Sequence, residues 1–132
     1  MSLEKLLHRL LFIISVLTVL SGLTQLLSPS LVLRILSAEL TTTTAHFFAI
    51  VGMFMMLFGG LLLHALLSRR HHPVAVFWAG LQKLGAAAAV ALGVGKALFA
   101  PLALMVAGFD LLSGALIFLY WFLVRGTYES VK

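Results

Sequence analysis

Cysteine is absent from this chain of 132 residues, and charged side chains are scarce. Without cysteine the chain cannot form disulfide bonds or hold an iron–sulfur cluster, and thiol chemistry is excluded. Only 10% of the residues are charged and 62% are hydrophobic, whereas a soluble domain carries about 25% charged residues. So few polar side chains cannot cover a water-soluble globule. The composition therefore indicates an integral membrane protein built as a single domain, with the lipid bilayer as its surroundings.

Only four of the charged residues in the whole chain are acidic. The sequence contains no Ser/His/Asp order, no paired carboxylates and no metalloprotease motif. The stretch Gly93–Lys96 has two glycines and a lysine but lacks the first glycine of a phosphate-binding loop. We therefore expect no catalytic residue and no metal site, which favours a protein that is not an enzyme.

Four apolar runs are each about long enough to cross a bilayer, which takes roughly 20 residues. They cover residues 7–27, 45–67, 73–92 and 101–124. Residues 29–40 are apolar and amphipathic but too short to span, which predicts a helix lying in the membrane interface. Ser28 and Pro29 are typical of a helix start, and Thr44 is expected to cap the second span. The sequence thus predicts an all-α, integral membrane four-helix bundle with a short interfacial helix after the first span.

Lysine and arginine are distributed unevenly between the two sides of such a bundle. One side would hold both termini and the turn after the second span, and the other would hold the remaining loops. The first side carries six basic residues: Lys5, Arg9, Arg69, Arg70, Arg125 and Lys132. The second carries only Arg34 and Lys96. Because basic residues collect on the cytoplasmic side, both termini are predicted to be cytoplasmic, and the net charge of +5 does not indicate a nucleic-acid partner.

Two charges lie near the middle of membrane spans, Lys83 in the third and Asp110 in the fourth. Such a charge costs about 3 kcal/mol on insertion scales, so it usually has a partner. Counting 1.5 Å per residue from opposite faces places the two charges at nearly the same depth. They are therefore predicted to pair. We interpret the pair as a buried ion pair that fixes the register between two helices. A proton or ion relay and a ligand counter-ion are the alternatives.

Three histidines are candidates for contact with a ligand or cofactor: His8, His46 and His64. His46 and His64 are eighteen residues apart on one helix, too far to bind one metal. Bis-histidine haem would need a second helix, and only His8 has a suitable depth opposite His64. A single histidine could also ligate a chlorophyll-type pigment. We favour hydrogen-bonded interfacial histidines instead, so no cofactor is predicted, although a bound lipid or quinone fits the composition.

Small residues recur every four positions along the third span, at Gly85, Ala89 and Gly93. This spacing lets a neighbouring helix approach closely and predicts a packing face, either within the chain or toward another subunit. At the end of the fourth span, Tyr120, Trp121 and Phe122 are expected to form an aromatic belt at the membrane surface.

The third and fourth spans resemble a known group of proteins. The matching stretches are Trp78–Ala86, Pro101–Leu104 and Val106–Leu112, and the resemblance covers roughly residues 74–124. They are similar to small bacterial four-helix membrane proteins, broadly the DoxX-like group. Some of these are linked to quinone-reducing sulfur oxidation, as small subunits beside a partner. The resemblance implies four helices, a bacterial inner membrane and association with a larger complex, and it carries over no catalytic residue.

Three functions follow from these features. The first is a non-enzymatic accessory or interaction subunit of a larger membrane complex, suggested by the small size and the small-residue helix face. The second is a binder or transporter of a lipid, a quinone or protons that uses Lys83 and Asp110. The third is a redox subunit that holds a cofactor through histidine. The sequence alone does not choose a partner, a ligand or an oligomeric state.

Overall fold

A computed structural model describes residues 1–129, and they form five helices. The helices are α1 (Leu3–Leu27), α2 (Pro29–Ile35), α3 (Thr42–Leu67), α4 (Pro73–Gly95) and α5 (Ala103–Glu129). Four of them, α1, α3, α4 and α5, are long and apolar enough to cross a membrane. The all-α four-helix architecture predicted from the sequence is therefore confirmed.

Side-chain caps start two of the helices earlier than the apolar runs suggested. Ser2 accepts a hydrogen bond from the Lys5 backbone N–H, so α1 begins at Leu3 rather than residue 7. Thr41, and not Thr44, is the N-cap of α3. The two threonines form a reciprocal capping box, in which each side chain accepts a hydrogen bond from the other's backbone N–H. This pairing satisfies two of the first N–H groups of the helix and moves its start from residue 45 to Thr42.

The helix ends differ from the predicted bounds for a backbone reason. The helix of the interfacial segment stops at Ile35 instead of extending to residue 40, because Ser37 adopts a positive φ of 51°. Its neighbour Ala38 then donates back to the Leu33 carbonyl at 2.9 Å. The same motif ends α4 at Gly95, three residues past the predicted limit. There Ala97 has φ 56° and Leu98 donates to the Gly93 carbonyl at 2.9 Å. Both ends are Schellman motifs, built here without glycine.

The four long helices pack as two close pairs, α1 with α3 and α4 with α5. The pairs meet more loosely, through α3 against α4 and α1 against α5, so that α1 lies diagonally across from α4. Glycines make the α1/α3 contact close. A Cβ atom on Gly22 would lie 2.5 Å from the Met56 backbone nitrogen and 2.6 Å from the Gly52 carbonyl oxygen. Side chains at these positions would push the two backbones apart.

The two ends of the bundle differ in how well they are filled. We call the end with the start of α1 the terminal end, and the opposite end the α2 end. At the terminal end a continuous core joins all four long helices, made of Leu7, Leu11, Leu62, Leu66, Val76, Ala79, Ile117, Tyr120 and Val124. Toward the α2 end this core stops and a cavity begins. The outer surface is covered by exposed leucine, isoleucine and phenylalanine side chains along all four long helices. A surface of this kind suits a lipid environment.

Tyr120 takes part in this core and not in an aromatic belt. Its side chain is buried and its ring lies edge-on to His8, with the centroids 6.1 Å apart. Trp121 is half-buried against Phe77 and Phe118, and Phe122 alone of the three predicted belt residues is exposed. The helical rotation of about 100° per residue spreads three consecutive side chains over about 200°, so they cannot all lie on one face of the helix.

Candidate functional site

A cavity of about 670 Å³ occupies the interior of the bundle toward the α2 end. All four long helices, α2 and the α4–α5 loop contribute to its wall. The wall is mostly apolar, with aromatic and aliphatic side chains from α3 and α5 and alanines from α4. The size and the apolar lining are typical of a site for a small organic ligand. We refer to this space as the α2-end cavity.

Lys83 and Asp110 lie at the inner end of this cavity, where the packed core begins. The Lys83 Nζ atom is 2.7 Å from Asp110 Oδ1, and both side chains are 5% exposed. The sequence-predicted partners are thus in direct contact, each coming from one member of the α4/α5 pair. From Ala103, the first residue of α5, to Asp110 the helix rises about 10 Å. The charges therefore lie well inside the bundle, and both side chains are almost completely buried.

The ion pair leaves hydrogen-bonding capacity unused. An ammonium group has three N–H donors, and a carboxylate has about four acceptor positions. Among the described residues, the bond to Asp110 Oδ1 is the only hydrogen bond that the Lys83 side chain makes. The Phe109 ring gives it a weaker contact, with its centroid 5.2 Å from Nζ. Because Lys83 and Asp110 both line the cavity, a polar group bound there can use the remaining donors and acceptors.

Gln82 brings a neutral amide next to this ion pair. It precedes Lys83 on α4, lines the α2-end cavity and also borders a void of about 10 Å³ deeper in the bundle. Within the described part of the chain its amide has no protein hydrogen-bond partner. The void is about the size of one water molecule and is also bordered by Ser15, Thr18 and Lys83. The inner end of the cavity thus offers both donors and acceptors.

The polar side of α1 faces this same space. Thr18 is buried and donates to the Ile14 carbonyl, and Gln25 donates through Nε2 to the Phe48 carbonyl of α3 at 2.9 Å. Ser21 and Thr24 are more exposed and also line the cavity. Lipid offers such groups no hydrogen bonds, which accounts for their inward placement. In this protein they form one wall of the cavity.

Two short segments cover the cavity at the α2 end. Val32 of α2 and Leu36, the residue that follows this helix, line the cavity, and so does Phe99 of the α4–α5 loop. A backbone hydrogen bond of 2.8 Å joins these segments, from the Ala100 N–H to the Leu36 carbonyl. This bond ties the loop of the α4/α5 pair to the helix that follows α1. The two segments therefore cover the α2 end of the cavity, while exposed wall residues such as Met105 leave it open to the surroundings elsewhere.

The three candidate histidines do not meet at one site. His8 is half-buried at the terminal end, where its Nδ1 shares a 3.4 Å hydrogen bond with the Tyr120 hydroxyl. His46 and His64 are exposed on α3, and neither lines the cavity. His8 and His64 therefore do not face each other as haem ligands would have to. Over the described residues, no group of three His, Asp or Glu side chains is placed to hold a metal ion.

The small residues of α4 have three different surroundings rather than one shared helix contact. Gly85 is exposed, and a Cβ atom there would meet nothing within 4 Å. Ala89 lines the α2-end cavity, and Gly93 makes room for the Phe99 ring. Close packing inside the chain instead uses Gly22, Gly52 and Gly59 between α1 and α3, and Gly80 and Gly114 between α4 and α5. The predicted face toward another subunit stays a prediction for Gly85 and Ala89.

Comparison of the chain with protein-family models, with curated proteins and with solved structures finds no match in any of the three. The DoxX-like resemblance of the third and fourth spans therefore stays a prediction. What is known of the site rests on its own geometry: an apolar cavity inside a helix bundle, with a buried ion pair and an amide at its inner end.

Proposed function

We propose that this protein binds an amphiphilic molecule of the membrane, with its apolar body in the α2-end cavity and its polar head against Lys83, Asp110 and Gln82. The observation that carries this proposal is the position of the buried ion pair at the inner end of the cavity. A cavity filled only by lipid tails would need no polar group at its inner end. A charged pair there costs free energy unless its hydrogen-bonding groups are used.

The chemistry at the inner end favours a head group that accepts hydrogen bonds. Lys83 retains N–H donors beyond the one that contacts Asp110, and the Gln82 amide adds two more. The carbonyl oxygens of a quinone ring, or a fatty carboxyl group, are acceptors of this kind. The apolar wall of Phe48, Phe54 and Phe109 would then surround the ring or chain. Because part of the wall consists of exposed side chains, including Phe54 and Phe109, such a ligand could enter from the bilayer without crossing water.

Extraction of the purified protein tests this proposal. We expect organic extracts of protein isolated in mild detergent to contain one amphiphile in near-stoichiometric amount, identified by mass spectrometry. Ala86→Phe would place a ring in the cavity and should remove that molecule. Ala88→Phe adds the same ring on the exposed side of α4 and is the matched control. Equal ligand content in the two variants, or the mixed lipid composition of the host membrane in the wild type, would contradict the proposal.

A second function, as an accessory subunit, is favoured by the outer side of α4. Gly85 and Ala88 are exposed there, and a side chain at Gly85 would meet open space in the chain alone. Small residues on a lipid-facing surface allow another helix to approach closely. Gly85→Leu should therefore leave folding unchanged while it lowers recovery of a partner subunit or a second copy. If the Gly85→Leu variant purifies as an assembly of the same native mass as the wild type, this second function is contradicted.

We place the protein in a bacterial inner membrane with both termini in the cytoplasm. The orientation rests on the excess of arginine and lysine at the terminal end, at Lys5, Arg9, Arg69 and Arg70. The bacterial inner membrane rests on the DoxX-like resemblance of residues 74–124. A tag fused to either terminus should resist protease added outside intact cells and be cleaved after the membrane is opened. Cleavage in intact cells would reverse this orientation.

A further inference from the structure

A second cavity, of about 250 Å³, lies at the terminal end, on the opposite side of the packed core from the ion pair. Its wall combines the first turns of α1, the end of α3 and the turn that leads into α4. Among the described residues, four cationic side chains line it, Lys5, Arg9, Arg69 and Arg70, and one carboxylate, that of Glu4. We call it the basic pocket. It shares no lining residue with the α2-end cavity.

The turn that carries two of these arginines is held by bonds that do not use their side chains. The Ser68 hydroxyl is 2.9 Å from His72 Nε2, and the Arg70 backbone N–H donates to the Ser68 oxygen at 3.4 Å. Among the side chains that the structure describes, the one ion pair is Lys83–Asp110, so no carboxylate of this described set lies within 4.0 Å of the pocket's guanidinium groups. Three guanidinium groups line the pocket, and a guanidinium group is suited to bidentate contacts with a phosphate.

The floor of the pocket is polar as well. His8 and Tyr120 line it, and their side chains share the 3.4 Å hydrogen bond already described. Leu66 and Ala65 complete the wall on the α3 side. A surface patch of arginines would only set membrane orientation, whereas this one surrounds a concave space. Basic pockets between transmembrane helices are suited to the head groups of anionic lipids.

We infer that the basic pocket binds a phosphate group, supplied by the head group of an anionic phospholipid or by free phosphate. Arg9, Arg69 and Arg70 contact the phosphate oxygens, and the floor of His8 and Tyr120 receives the rest of the head group. The acyl chains of a bound phospholipid extend over the exposed leucines of α1 and α3. This site is independent of the amphiphile proposed for the α2-end cavity.

The test uses the full chain in nanodiscs of zwitterionic phosphatidylcholine. Native mass spectrometry with added phosphatidylglycerol gives an apparent Kd for this lipid. Binding of free phosphate is tested by comparing the melting temperature in sodium phosphate with that in sodium chloride at equal ionic strength. Each cation near a lipid surface is worth about 1 kcal/mol, or about fivefold in affinity. The double variant Arg69→Gln/Arg70→Gln should therefore bind phosphatidylglycerol about 25-fold more weakly. The control Arg34→Gln/Lys96→Gln removes the same charge at the α2 end and should change the Kd by less than about twofold.

A further variant keeps every charge. Ala65→Phe fills the pocket and should weaken phosphatidylglycerol binding at least as much as one lost arginine, whereas Ala91→Phe on exposed α4 should not. Binding of lipid but not of sodium phosphate assigns the site to a phospholipid head group, and binding of both assigns it to phosphate in general. Equal losses in the double variant and its control, or no binding of either probe by the wild type, would overturn the inference.

Discussion

The two ends of the bundle use the same four helices and reach opposite results. At the terminal end the inward positions hold Leu7, Leu11, Leu62 and Ile117, and these long side chains meet in the middle. Toward the α2 end the inward positions of α1 hold short polar side chains such as Thr18, and those of α4 hold alanines such as Ala86. Helices at similar spacing but with shorter side chains leave a cavity. The terminal end therefore supplies the packed core, whereas the α2 end leaves an interior space large enough for a ligand.

The largest loss of stability is expected from substitutions at the boundary between these two ends. Lys83→Met or Asp110→Leu leaves one charge buried without its partner and should cost about 3–5 kcal/mol of unfolding free energy. The double variant should recover most of that loss, because two apolar side chains need no partner. The unfolding free energy of all three variants is measured in mixed micelles, by raising the fraction of a denaturing detergent.

The double variant also separates a structural pair from a relay. If the single losses simply add, the two residues are energetically independent and the contact contributes little. A relay instead predicts a stable double variant without transport activity and an Asp110→Asn variant with a normal fold and no activity. Ligand content of the same samples shows whether the amphiphile needs the charges.

The next effect concerns the close approach of α1 and α3. Gly22→Ala places a methyl group 2.5 Å from a backbone nitrogen that cannot rotate away. We expect a loss of about 3 kcal/mol, at the upper end for overpacking. Gly60→Ala is the matched control on α3, where a Cβ atom meets nothing within 4 Å and stability should not fall. If both variants unfold alike, the α1/α3 contact is not as close as described.

A direct comparison of the two halves comes from shortening one side chain in each. Leu11 is fully buried in the core, with 0% exposure, whereas Phe54 is 52% exposed and lines the cavity. Leu11→Ala should cost about 2 kcal/mol, mainly from packing that cannot be restored. Phe54→Ala should cost less than about 0.5 kcal/mol and instead reduce retention of the bound amphiphile. Equal losses of stability would mean that the α2 end is as well packed as the terminal end.

The smallest expected effect has the opposite sign. Ala97 ends α4 with a φ of 56°, a backbone conformation that costs a residue with a Cβ atom about 1–2 kcal/mol. Ala97→Gly removes that cost but adds chain flexibility in the unfolded state, so we expect a gain of about 1 kcal/mol. Val94→Gly, inside α4, should lower the melting temperature. If the melting temperature falls in Ala97→Gly as it does in Val94→Gly, the backbone of Ala97 is not strained.

Composition and spacing determined much of this protein. The scarcity of charge indicated a membrane environment, and the four apolar runs located the long helices to within a few residues. The depth of Lys83 and Asp110 could also be counted, because rise per residue is fixed in a helix. Helices α1 and α3 begin before the apolar runs because Ser2 and Thr41, the polar residues that cap them, lie outside those runs.

Tertiary structure decided which small residues pack and which leave space. Gly85, Ala89 and Gly93 have the spacing of a packing face, yet Gly22 and Gly52 make the closest helix contact. The pattern on one helix does not specify which neighbour lies opposite, so spacing alone cannot distinguish a contact from a cavity wall. For the same reason the sequence could predict that Lys83 and Asp110 are partners but not that a cavity ends on them. A cavity is a property of four facing helices, and each helix carries only its own part of the wall.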